Sequence, residues 1–134
     1  MQTLAIDHLQ VAAIVEVLQE KKGLDILLMD LKEINDSADF FVLCTGTSDM
    51  HVRSLAEAVR DKLREQGERA WHVEGLENGR WVLLDFVDIV VHVFRQDARE
   101  FYALERLWGD AECVRIEDTW GEPLGETANK SIWE

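Results

Sequence analysis

Long apolar runs, paired cysteines and positive charge are all scarce in this sequence. No apolar stretch approaches the roughly 18–20 residues that a membrane span needs, so no membrane contact is expected. The opening segment, MQTLAIDHLQVAAIVEV, has no basic region and carries Asp7 and His8. It does not read as a signal peptide, and the cytoplasm is the expected compartment. Cys44 and Cys113 lie far apart, which argues against a disulfide framework or a CxxC site. Cys44 sits inside an apolar run and is expected to pack as a small hydrophobe. Basic residues number 14 against 27 acidic ones, for a net charge of −13. Such a chain is repelled by phosphate backbones and anionic lipid, so direct nucleic-acid docking is not expected. It is drawn instead to basic protein surfaces, including those of a nucleoprotein. The same excess of acid also keeps a small domain soluble.

What is present fits one domain: 134 residues support a single core. Thr3 can cap a first helix over residues 4–22, in which Val11, Ile14, Val15 and Leu18 recur at helical spacing. LDILLMDL (24–31) and DFFVLCTG (39–46) read as strands, the first too short and too uniformly apolar for a globular helix. TSDMHVRSLAEAVRDKLREQG gives the clearest helix, with Val52, Leu55, Ala56, Val59 and Leu63 in one stripe. Ser48 or Thr47 caps it and Gly67 stops it. ERAWHVEG (68–75), RWVLLD (80–85) and DIVVHVF (88–94) read as further strands, with a tight turn at Asn78-Gly79. Phe86-Val87 has no turn chemistry, so a single bent strand through 80–94 stands as the alternative to two separate strands. Gln96 or Asp97 opens a final helix in which Phe101, Leu104 and Trp108 share a face. The order implies an α/β domain with a mixed sheet of about five strands flanked by helices. This domain spans residues 1–110. Residues 111–134 follow as an acidic, largely irregular tail.

Three ionisable groups interrupt the apolar strands: Asp85, Asp88 and His92. Asp88 and His92 share a strand face, whereas Asp85 and Asp88, three apart, point to opposite sides unless the chain bends. CTGTSDMH joins a strand to a helix N-terminus, a place where an anion can bind. It contains one glycine and matches neither dinucleotide nor P-loop patterns. A nucleotidyltransferase-like enzyme with a metal and nucleotide site at 46–48 and 85–88 is therefore the alternative reading. His8, His51, His72 and His92 sit on different elements, so no metal site is expected. No cofactor is expected either. Trp81 follows a polar turn and is a candidate exposed anchor, since tryptophan dominates interface hot spots.

DFFVLCTGTSDMHVRSLAEAV, HVEG, WVLLDFVDIVVHVF and REFYALERLWGDA together resemble the ribosomal silencing factor family, also called the RsfS or Iojap family. The resemblance covers about residues 5–111. One departure is Val87, which stands between the two aspartates where the family commonly has glycine. The resemblance implies a nucleotidyltransferase-like α/β fold without catalysis. It implies binding to the large ribosomal subunit through ribosomal protein L-fourteen, which blocks joining of the small subunit and represses translation when nutrients are limiting. It also implies a mixed aromatic-acidic contact surface. Trp81 would be the anchor, Asp85, Asp88 and Glu105 would face basic groups, and His92 and Tyr102 would support them. Self-association as a homodimer is equally compatible with the sequence.

Overall fold

The computed structural model of the protein describes residues 9–33, 38–98 and 112–116. Helix α1 (Leu9–Glu20) buries the predicted stripe of Val11, Ile14, Val15 and Leu18, with Ala13 and Val17 beside it. Residues 4–8 of the expected helix lie outside the described residues. The helix ends at Lys22, which takes the left-handed conformation at φ 64°, while the Gly23 N–H donates to the Leu18 carbonyl at 2.8 Å. Gly23 also meets a close approach: a Cβ there would collide with Cys44 Sγ. Its lack of a side chain lets the chain pass close to the sheet.

Helix α2 (Asp49–Glu65) starts as predicted, with Ser48 accepting the His51 N–H through its side chain. It closes with Glu68 N–H on the Leu63 carbonyl and Gly67 N–H on the Arg64 carbonyl. Gly67 supplies the left-handed residue, φ 86°, that this double capping pattern requires.

Among the described residues six strands form the sheet, one more than expected: β1 (Leu24–Asp30), β2 (Phe40–Gly46), β3 (His72–Glu74), β4 (Trp81–Asp85), β5 (Ile89–Arg95) and β6 (Glu112–Ile116). Their spatial order is β3-β4-β5-β2-β1-β6. Only β2 and β5 are parallel; the other pairings run antiparallel. β6 falls in the segment expected to be irregular tail, yet it pairs with β1 from Ile26↔Ile116 to Asp30↔Glu112. β3 is shorter than the 68–75 stretch expected for it.

Both helices pack on one sheet face, where Ile26, Leu28, Val42, Cys44, Val82, Leu84, Val91 and Val93 meet their apolar stripes. The opposite face holds a smaller cluster of Leu27, Met29, Leu31, Leu43, Phe94 and Ala98, with Phe41 and Trp81 against it. Central strands buried on both faces account for the uniformly apolar run in β1, since neither set of side chains faces water.

The junction between β4 and β5 decides between the two readings of this stretch in favour of two strands. The two form a hairpin, paired from Trp81↔Phe94 to Asp85↔Val90. Its tip is a three-residue turn in which the Asp88 N–H donates to the Phe86 carbonyl at 3.0 Å and Val87 sits at φ 79°. For a β-branched residue this conformation costs about 1–2 kcal/mol. Asp85 supplies the missing turn chemistry, its Oδ1 accepting the Val87 N–H at 2.7 Å. Val87→Gly should therefore stabilise the fold by about 1 kcal/mol, because strain relief exceeds glycine's added chain entropy. Urea unfolding checks this: the midpoint rises at unchanged slope, and a lower midpoint would refute it.

Candidate functional site

Strand alternation builds the candidate face. In β4, Trp81, Leu83 and Asp85 are half-buried, while Val82 and Leu84 are fully buried under the helices. The β4 register sets Trp81 opposite Phe94, Leu83 opposite His92 and Asp85 opposite Val90. The parallel pairing carries these rows on to Thr45, Leu43 and Phe41. On the other side, β3 brings His72 opposite Asp85 and Glu74 opposite Leu83. One face thus presents a half-exposed apolar strip of Phe41, Val90, Leu83 and Trp81. The carboxylates of Asp85 and Glu74 stand at its edge.

Trp81 is locked into this face. Its ring stacks on Phe94 at a centroid distance of 5.2 Å and an interplanar angle of 27°. Its indole N–H donates to His92 Nδ1 at 3.1 Å. With Nδ1 accepting, the imidazole proton resides on Nε2, which has no hydrogen-bond partner among the described residues. Phe41 lies against the same imidazole, with centroids 4.7 Å apart. Burial pushes the His92 pKa down to about 4, so the ring is neutral under ordinary conditions. His92 is 4% exposed and acts by orienting Trp81 from behind.

The structure therefore brings Trp81, Asp85 and His92 together on one face. Asp88 lies exposed at the hairpin turn, its carbonyl accepting the N–H groups of Asp39 and Phe40 at 2.7 and 3.1 Å. Tyr102 and Glu105 lie outside the described residues, as does Trp108. Leu83, Val90 and Phe41 were not singled out from the sequence. The alternation Trp81-Val82-Leu83-Leu84-Asp85 carries the signal for Leu83, which shares parity with both predicted contacts.

The composite metal and nucleotide site is not assembled. Gly46 pairs with Arg95 at one end of the parallel pair, whereas Phe40 pairs with Ile89 at the other. Residues 46–48 and 85–88 are therefore separated by the length of β5, roughly 20 Å at about 3.3 Å per residue. A cleft of about 780 Å³ does open beside Thr47, Ser48, Asp49, Arg53, Arg95 and Asp97, where α/β folds often take ligands. Several of its donors are already engaged. The Thr47 N–H donates to His51 Nδ1 at 2.9 Å, and His51 Nε2 donates to the Lys21 carbonyl at 2.9 Å. Arg95 is held by Asp49 at 2.7 Å and by Asp97 at 2.9 Å. The hydrogen bond from Arg95 in turn keeps the Asp97 carboxyl below its ordinary pKa. No group of three or more His, Cys, Asp or Glu suited to a metal occurs among the described residues. The loop acts as a helix cap. Ser48→Ala should cost about 1 kcal/mol of stability through loss of that cap, measurable by urea unfolding; an unchanged midpoint would contradict it.

Comparison with known proteins decides the family. The family described as "Ribosomal silencing factor during starvation" matches residues 5–133. The chain belongs to the ribosomal silencing factor family. It is 43% identical over 98 residues to the ribosomal silencing factor RsfS of Bacillus subtilis, covering 73% of this chain and 83% of that one. A more distant mouse relative, 26% identical over 98 residues, covers 71% of this chain and 43% of its own length. Its name is mitochondrial assembly of ribosomal large subunit protein 1. The crystal structure of a Chromobacterium violaceum protein superposes with a TM-score of 0.74 at 33% identity, covering 83% of this chain and 93% of that one. In this ribosomal silencing factor the match runs beyond residue 111, where the sequence motifs end, and takes in β6.

Proposed function

We propose that this ribosomal silencing factor binds the large ribosomal subunit through ribosomal protein L-fourteen, sterically blocks joining of the small subunit and so represses translation under nutrient limitation. Family membership supports the ribosomal role, and the name of the mouse relative supports the large subunit as the partner. The observation that carries the contact is the face on β3, β4 and β5. There a preoriented tryptophan and a half-exposed apolar strip are bordered by Asp85 and Glu74.

This chemistry suits a basic protein. The apolar strip supplies desolvation, the carboxylates meet lysine and arginine, and a net charge of −13 steers encounter with cationic surfaces. Asp88 extends the acidic border to the hairpin tip. Tyr102 and Glu105 are further contact candidates on the segment following residue 98. The protein acts by occupying space, and no bond need be made or broken for it to work.

Calorimetric titration of purified protein into ribosomal protein L-fourteen tests the contact. Saturable binding that weakens as salt rises is expected, because charge complementarity contributes to the encounter. Absence of binding at any ionic strength would refute the assigned partner.

A further inference from the structure

We propose that Val87, at the tip of the β4–β5 hairpin, is an apolar contact residue seated in a socket of the basic ribosomal protein that this face meets. The assignment rests on the function proposed above and extends that contact to the far end of the face. Two features lead to it. Val87 is 55% exposed and belongs to neither hydrophobic cluster, so packing among the described residues gives little return for its side chain. Its backbone is held at φ 79°, a conformation that glycine adopts freely and a β-branched residue does not. Strain of this kind persists where the surroundings impose it, and it concentrates at ligand-contacting segments.

The tip is also preorganised. Phe86 N–H donates to the Ile89 carbonyl at 2.9 Å, Asp88 N–H to the Phe86 carbonyl at 3.0 Å, and Val87 N–H to Asp85 Oδ1 at 2.7 Å. Phe86 is buried beneath the tip. An isopropyl group presented on so fixed a support loses little freedom on docking. Asp85 and Asp88 flank it, so the complementary socket is apolar with a cationic rim. A second copy of this chain is disfavoured as occupant, because it would bring another acidic tip and another net charge of −13 against this one.

The test compares wild type, Val87→Gly and Val87→Ala for thermal midpoint, for affinity to purified large ribosomal subunits and for self-association by sedimentation. Val87→Gly should melt a few degrees higher yet bind about five- to tenfold more weakly, as expected for a lost, partly buried apolar group. Val87→Ala, which keeps most of the strain but loses the isopropyl group, should weaken binding in the same direction. Wild-type affinity in both variants would overturn the assignment. So would a loss confined to Val87→Gly, which would assign the effect to backbone rigidity. A wild-type dimer dissociated by Val87→Gly at unchanged subunit affinity would also overturn it. If the wild type fails to bind subunits, the proposed function falls first and this assignment with it.

Discussion

Trp81→Ala is expected to weaken binding to the large ribosomal subunit by at least about 30-fold, the loss of a hot-spot anchor worth about 2 kcal/mol or more. The geometry explains so large an effect at a single position. The indole already stands in a fixed orientation, stacked on Phe94 and hydrogen-bonded to His92, so docking need not freeze a mobile ring. It also lies in the same row parity as Leu83 and Asp85, which places apolar and acidic contacts within one footprint. Because Trp81 packs against the second hydrophobic cluster, the alanine variant should also lose stability. Trp81→Phe separates the two roles: it keeps an aromatic surface over Phe94 while removing the N–H donor. Binding of the phenylalanine variant should lie between wild type and alanine. Co-sedimentation with large subunits, read beside circular dichroism spectra, checks this. A folded alanine variant that binds as wild type does would remove Trp81 from the contact.

The second large effect is acid sensitivity arising at His92. In the folded chain burial holds its pKa near 4, against an ordinary value of 6.5. The unfolded chain therefore binds a proton below about pH 6.5 that the folded chain refuses until about pH 4. The stability contributed by the neutral ring is fully present above pH 6.5 and is lost as pH falls toward 4. At 1.36 kcal/mol per unit, about 2 kcal/mol should be gone by roughly pH 5. Protonation there would also remove the acceptor that holds the Trp81 indole. Urea unfolding from about pH 7 to 5 measures the total slope, and comparison with His92→Gln isolates the part due to this ring. A ring that titrates near 6.5 in the folded protein by NMR, or a variant with the wild-type slope, would contradict this.

How much of this was legible in the sequence follows from where each signal resides. The α2 stripe and its Ser48 cap are local, set within a few residues of one another, and both appear as read. The alternation in β4 likewise placed Trp81 and Asp85 on one face. β6 carried no comparable signal. Its five residues border an acidic stretch, and their pairing with β1 depends on a strand more than 80 residues away in sequence. The turn that joins β4 to β5 was hidden for a different reason. Val87 disfavours the turn locally, while strand pairing and the Asp85 carboxylate enforce it. Nor could sequence spacing show that residues 46–48 and 85–88 lie at opposite ends of β5, since only the parallel register with β2 reveals it. His92 was read as a supporting residue, but its indole partner required the cross-strand register that brings Trp81 near it.

On the proposed function, this protein keeps ribosomal subunits apart by occupying the large one. Light scattering of purified large and small subunits, mixed with increasing amounts of the protein, tests it most directly. Joining should fall in step with occupancy of the large subunit, with Trp81→Ala shifting the curve to higher concentration. Undiminished joining at saturating occupancy would contradict the account.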